Sequence, residues 1–185
     1  MGYNKNRGFT LIEAIMVIAI IAILAVSGAY LMIYLVQNAV FVPNKLNMDM
    51  VAQDALGIMI EGDGQVKGLR FSKSITDIDD DEVTFHNQDN QSIVYRLDTG
   101  TEKLYRSING ATEMLIPYYV TTGINITGKD NKLFTYYDAG DTETSDPEDI
   151  RRIKVTLIAK TGTGSYTDWE GQSEQSSSIK VSKFE

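Results

Sequence analysis

The pattern of hydrophobic and polar positions divides the chain into an apolar beginning and a mixed remainder. No charged residue occurs between Ala14 and Asn44, and the stretch Ala14–Val36 is almost entirely apolar. A helix needs about 20 consecutive apolar residues to span the hydrocarbon core of a bilayer, and this stretch is longer than that. The pattern therefore predicts a membrane-spanning helix close to the N-terminus.

After the apolar run the pattern becomes amphipathic. The apolar positions that share one helix face are Val51, Ala55, Ile58 and Met59. The run Gly62, Asp63 and Gly64 is expected to end this helix. We therefore predict one long helix over about residues 10–61, with a kink near Pro43 because proline removes one helical hydrogen bond.

Short alternating runs in the remainder predict antiparallel strands. They cover residues 83–86, 92–97, 103–108, 114–120, 133–138, 150–160 and 179–184. Turn signals at 98–100 and 109–110 join neighbouring strands as hairpins. Residues 65–76 are interpreted as an extended connection, and residues 123–131, 139–149 and 161–178 as loops or turns. One long helix followed by such strands predicts the α+β class.

One charged residue, Glu13, stands near the start of the apolar helix. A carboxylate at mid-bilayer costs on the order of 2.5–3.5 kcal/mol, and less near an interface, so such a residue indicates a function and a partner. Lys5 and Arg7 precede the helix, and so does the small residue Gly8, whereas an ordinary secretory signal has its small-residue cleavage site after the apolar run. Cleavage after Gly8 would leave the helix on the mature protein.

The segment K-x-R-G-F-T-L-I-E at residues 5–13 resembles the N-terminus of a type IV prepilin. The resemblance implies that a prepilin peptidase cuts between Gly8 and Phe9 on the cytoplasmic side and that the new N-terminus at Phe9 is methylated. It also implies that Glu13 pairs with the Phe9 amine of a neighbouring subunit in a helical filament. The alternative is a plain signal anchor with a chance glutamate near the membrane interface.

The same resemblance implies the pilin fold, in which a long N-terminal helix packs on an antiparallel β-sheet body. We expect a cleaved leader at residues 1–8, a transmembrane and assembly helix at 9–44, and an extracytoplasmic domain at 45–185. Because basic residues stay on the cytoplasmic side, the expected protein crosses the inner membrane once with its N-terminus in the cytoplasm. It would later join a pilus or pseudopilus.

The remainder of the chain adds a narrower resemblance over roughly residues 83–160. The runs that carry it are YRL at 95–97, LYRS at 104–107, YYD at 136–138 and IRRI at 150–153. They are similar to minor pilins of the PilW type and to the J pseudopilin of type II secretion. This implies a minor subunit at or near the filament tip, with other pilins as partners. The alternatives are a major pilin and a filament-displayed module that binds DNA or a surface ligand.

The chain has 17 basic and 25 acidic residues, a formal net charge of −8, and no cysteine. Two of the basic residues lie in the leader, so the domain beyond residue 44 has a more negative net charge than the whole chain. Such a domain is a poor general attractor of nucleic acid, since phosphate binding depends on Lys and Arg. A local basic strip around Arg151, Arg152 and Lys154 stays an open alternative. Without cysteine the chain forms neither a disulfide nor a thiolate site.

Residues that carry catalytic chemistry are sparse. His86 is the single histidine, in a predicted strand, and no nucleophile elbow, P-loop, zinc-ligand spacing or dinucleotide loop occurs. We therefore expect neither an enzyme nor a cofactor.

Calcium takes six to eight oxygen ligands, and the weak candidates for it are Asp138, Asp141 and Asp146 in the acidic loop. Trp169 is either a partner-binding anchor or a cap on the sheet.

Overall fold

The computed structural model describes residues 10–115, 123–161 and 171–181. The chain divides into two units, Met1–Val42 and Pro43–Glu185, and the second unit is called the body below. One helix, α1 (Leu11–Ile60), runs from the first unit into the body. This matches the single long helix that the sequence predicts. The helix is continuous through position 43, and a bend at Pro43 stays a prediction.

The described part of the body forms two antiparallel sheets after a 3₁₀ turn at Leu69–Phe71. Sheet I contains, in spatial order, β1 (Ser72–Ile78), β2 (Glu82–Asn87), β3 (Ser92–Asp98), β4 (Lys103–Ile108) and β5 (Ala111–Met114). Sheet II contains β6 (Asn125–Gly128), β7 (Phe134–Tyr137), β8 (Arg152–Thr161) and β9 (Gly171–Lys180). β8 pairs with β9 along one edge and with β6 and β7 along the other. The predicted α+β class is confirmed.

Alternation along β8 gives sheet II two different faces. Ile153, Val155 and Leu157 are completely buried, as the sequence pattern predicts, and define the inner face. Since successive side chains of a strand point to opposite sides, Arg152 and Lys154 lie on the outer face. The inner face of sheet II therefore supplies a large part of the core.

The C-terminal half of α1 contributes the helical side of that core. Val51 and Met59, two positions of the predicted apolar face, are 1% and 0% exposed. The helix ends at Ile60, and Gly62 has φ 101°, a left-handed conformation that only glycine adopts without strain. The predicted helix end at residues 62–64 is confirmed.

Several segments predicted as connections are strands. β9 begins inside the predicted loop 161–178, β6 lies within the predicted loop 123–131, and β1 begins inside the predicted connection 65–76. The sequence of β9, GQSEQSSSIK, has almost no apolar alternation, and its pairing with β8 along its whole length determines its structure.

The ends of two other predicted strands also differ. β5 begins at Ala111, not at residue 114, because Asn109 and Gly110, with φ 50° and 90°, form the tight turn that returns the chain beside β4. The rest of that predicted strand, residues 116–120, lies outside the described residues. The predicted last strand at 179–184 is the end of β9, and its residues 182–184 also lie outside the described residues.

A buried arginine connects the end of α1 to sheet I. The side chain of Arg106 in β4 is 8% exposed, and its Nη2 donates to Asp63 Oδ2 at 2.7 Å. Its Nε donates to Glu113 Oε1 of β5 at 2.8 Å. Asp63 also accepts the backbone N–H groups of Gln65 and Val66, both at 3.1 Å. One carboxylate thus shapes the turn after the helix and neutralises a buried charge.

This arrangement predicts an acid-dependent stability. Burial raises the pKa of Asp63, but the hydrogen bonds from Arg106, Val66 and Gln65 outweigh it, and the pKa lies below the ordinary value of 3.8. A carboxylate with a depressed folded-state pKa stabilises the fold above its unfolded pKa, and this stabilisation is lost as the pH falls through the folded value. Denaturant unfolding should therefore show the body losing stability below about pH 3.8. In Asp63→Asn that acid slope should be shallower, and an unchanged slope would contradict the assignment.

Candidate functional site at the start of the apolar helix

The first turn of α1 is closed by a reciprocal pair of hydrogen bonds between Thr10 and Glu13. Glu13 Oε2 accepts the Thr10 backbone N–H at 2.9 Å and the Thr10 hydroxyl at 2.8 Å. In return, the Glu13 N–H donates to Thr10 Oγ1 at 3.3 Å. This is the capping box, in which the residue before the helix and the third helical residue satisfy each other's backbone donors. The sequence T-x-x-E therefore fixes where the helix begins.

The capping box uses only one oxygen of the Glu13 carboxylate. Within the described part of the chain, Glu13 Oε1 accepts no hydrogen bond, and the residue is exposed. An ionised carboxylate can accept at both oxygens. The site therefore has an open acceptor at the entry to an apolar helix, and a cationic donor is the group that this acceptor binds most strongly.

Apart from a few polar side chains, the rest of the helix surface up to residue 39 is apolar. Leu11–Ala39 is long and apolar enough to cross a membrane, and its large apolar side chains are 43–81% exposed. Ser27 and Asn38 donate to the backbone carbonyls of Ile23 and Tyr34, at 3.0 and 2.9 Å, so these polar side chains are satisfied within the helix. An apolar surface of this extent belongs in lipid or against other apolar helices.

Of the three positions predicted at the N-terminus, only Glu13 is described. Gly8 and Phe9 lie outside the described residues, and their predicted processing stays a prediction. Sequence reasoning did not single out Thr10 as a site residue, although the capping-box spacing T-x-x-E would have identified it.

The structure gives the calcium candidates other roles. Asp138 accepts the N–H groups of Gly140 and Thr142, and Asp146 accepts that of Glu148. Asp141 pairs with Arg152 at 3.0 Å. Across residues 10–115, 123–161 and 171–181, no three acidic, histidine or cysteine side chains are grouped so that they could hold a metal ion. In the structure the three aspartates therefore shape a loop, and their predicted calcium role stays a prediction.

The remaining candidates are scattered. His86 lies half-buried in β2, opposite Ser74 and Ser92. Trp169 lies outside the described residues. Among the described residues, neither His86 nor the three aspartates therefore form a second candidate site beside that of Thr10 and Glu13 at the start of α1.

A capped apolar helix with one carboxylate at its start, followed by an antiparallel β body, defines a membrane-anchored protein of pilin-like architecture. Residues 3–29 match the family model described as the prokaryotic N-terminal methylation motif. This match, which covers the N-terminal segment, supports a type IV prepilin-like protein. No curated protein and no solved structure matches the chain significantly.

Proposed function

We propose that the chain is a minor pilin or pseudopilin, a structural subunit of a type IV pilus or of a type II secretion pseudopilus. The observation that supports this most is the methylation motif at residues 3–29, which leads into an exposed apolar helix whose single carboxylate is Glu13. The motif supports processing by a prepilin peptidase and assembly with other pilins. The predicted cleavage lies between Gly8 and Phe9, with methylation of Phe9.

Before assembly the helix resides in the inner membrane. Lys5 and Arg7 keep the N-terminus in the cytoplasm, and the body lies on the opposite side. Glu13 is then partly satisfied by its own capping box with Thr10, which lowers the cost of a carboxylate at the membrane interface. In the membrane the subunit thus keeps one oxygen of Glu13, Oε1, free to accept a hydrogen bond from a neighbouring subunit.

Assembly replaces lipid by neighbouring helices. Cleavage after Gly8 creates an amine at Phe9, and the amine of an incoming subunit fits the open oxygen of Glu13. A charge in an apolar environment is tolerated when it is paired, so the pair sets the register at which one helix docks beside the next. Dispersion contacts among the apolar side chains then hold the filament core together. The role of the chain is mechanical, and no residue is assigned a catalytic step.

The abundance of the chain in purified filaments tests this function. We expect sheared filaments to contain the mature chain at far lower abundance than the main subunit, as measured by quantitative mass spectrometry against labelled peptides of both. Dominance of this chain in the fraction would favour the alternative of a major pilin. Complete absence from filaments, with the mature chain present in the membrane, would contradict the structural role and favour a module that binds DNA or a surface ligand.

A further inference from the structure

The apolar helix carries its polar side chains on one face. Between Leu11 and Ala39, six side chains have a hydroxyl, amide or carboxyl group, and five of them fit one series of alternating three- and four-residue steps. The members of that series are called the heptad seam: Glu13, Met16, Ile20, Ile23, Ser27, Tyr30, Tyr34 and Gln37. The sixth polar residue, Asn38, is adjacent to it. Such a series lines the contact when a helix packs along its length against one other helix.

The polar groups of the heptad seam differ in what they bind within the chain. Ser27 donates to the carbonyl of Ile23 at 3.0 Å and is satisfied by its own helix. Tyr30 and Tyr34 are 72% and 65% exposed, and within the described residues neither hydroxyl forms a hydrogen bond. Glu13 Oε1 is open as well. The seam therefore offers two phenolic donors and one carboxylate acceptor to a partner.

The depth of Tyr30 in the membrane favours a protein partner over water. With Glu13 at the cytoplasmic interface, Tyr30 lies about 25 Å further along the helix, at about 1.5 Å per residue, and the hydrocarbon core is about 30 Å thick. Helical side chains lean toward the N-terminus of their helix, which for Tyr30 leads back into the membrane. Tyrosines that only anchor an interface need no particular helix face. Here both tyrosines share the face of Glu13, where a neighbouring helix would satisfy their hydroxyls.

A second copy of the chain is a poor occupant of the seam. In a parallel pair in register, equal positions face each other, so Glu13 would meet Glu13, and two adjacent carboxylates do not both stay ionised. A copy staggered by one turn brings its amine to Glu13, but that contact repeats from copy to copy. The chain would then be a main component of the filament, in contrast to the minor subunit proposed above.

We propose that the heptad seam binds a parallel transmembrane helix of a different filament subunit while both are in the membrane. The N-terminal amine of that helix pairs with Glu13, and polar side chains along it accept hydrogen bonds from Tyr30 and Tyr34. The inference rests on the proposed function, which supplies the amine, and extends it from one ion pair to a helix face. The seam in this way selects a partner whose polar positions match its own.

Photo-crosslinking in the membrane fraction of native cells tests the seam. A photoreactive phenylalanine analogue replaces one residue of the full chain at a time, at Met16 or Ile23 on the seam. The controls are Ile18 and Met32 on the opposite face of the helix. These four side chains are 65–70% exposed in the chain, so differences in adduct yield report a partner. We expect about fivefold more adduct from the seam positions, with one other subunit that mass spectrometry shows to carry its own methylation motif.

Removing the two hydroxyls gives the second arm. Tyr30→Phe together with Tyr34→Phe keeps both rings, and the adduct from Ile23 should fall about eightfold, since an interhelical hydrogen bond in a membrane is worth about threefold. Tyr105→Phe, in β4, should leave the yield unchanged. Equal yields from both faces, a yield insensitive to the lost hydroxyls, or an adduct of two copies of this chain would each overturn the seam assignment. The N-terminal mass and the abundance in filaments, measured on the same cells, report the proposed function separately.

Discussion

Replacing Glu13 by alanine is expected to reduce incorporation of the chain into filaments by on the order of a hundredfold. This factor corresponds to about 3 kcal/mol, the lower end of the cost of removing one partner from a buried ion pair. The incoming amine at Phe9 would then enter an apolar environment with no acceptor. Cleavage after Gly8 should continue, because the substituted residue lies beyond the cleavage site. The measurement is the ratio of mature chain in sheared filaments to mature chain in the membrane.

Two further variants distinguish the pairing of Glu13 with a neighbouring amine from its role in capping the helix. Thr10→Val removes the hydroxyl of the capping box but keeps the carboxylate, and a lost N-cap costs about 0.5–2 kcal/mol of helix stability. We therefore expect a smaller assembly defect than in Glu13→Ala. Glu61→Ala, which removes an exposed carboxylate paired with Arg70, is the matched control and should assemble normally. An equal defect in Thr10→Val and Glu13→Ala would indicate that capping, not pairing, is what assembly needs.

Replacing Phe134 by alanine is expected to lower the free energy of unfolding of the body by about 3–5 kcal/mol, the usual cost of truncating a buried phenylalanine. The Phe134 side chain is fully buried, and its ring lies 6.2 Å from that of Tyr136. The backbone of Phe134 pairs with Val155 and donates to the carbonyl of Asp80. The alanine substitution would therefore leave a cavity where β7, β8 and the β1–β2 connection meet. Chemical denaturation of the full chain in detergent, followed by circular dichroism, measures the loss.

Tyr137→Ala is the matched control on the same strand. Tyr137 is half-buried on the outer face, where its ring contacts Arg152. Its truncation removes surface packing and a cation–π contact worth about 0.5–1 kcal/mol at exposed sites. A loss of stability as large as that of Phe134→Ala would show that the two faces of sheet II are not packed as described.

Local patterns were sufficient for the elements that carry strong periodicity. The apolar run and the amphipathic positions after Lys45 predict α1 to within one residue at each end. β3 and β4 follow from alternating residues around a turn, and the predicted 103–108 is β4 itself. In both cases the signal lies within a few neighbouring residues, where side-chain period and turn chemistry act directly.

Features that depend on distant pairing could not be predicted in the same way. The Ser- and Gln-rich β9 becomes a strand because β8 offers a complete ladder of partners. Arg106 meets Asp63 across 43 positions of sequence, and no local pattern indicates that this arginine is buried. Arg152 and Lys180 likewise become neighbours only through the register of β8 and β9. At the helix start, by contrast, Glu13 was predicted and the spacing from Thr10 was already present in the sequence.

The proposed function is tested most directly by the intact mass and N-terminal sequence of the chain from its native membrane fraction. We expect a mature protein that begins at Phe9 with a methylated amine, shorter than the full sequence by the leader at residues 1–8. A chain that still begins at Met1 in cells with an active prepilin peptidase would contradict the assignment to a filament. It would leave a membrane-anchored acidic body whose Glu13 serves only to cap its helix.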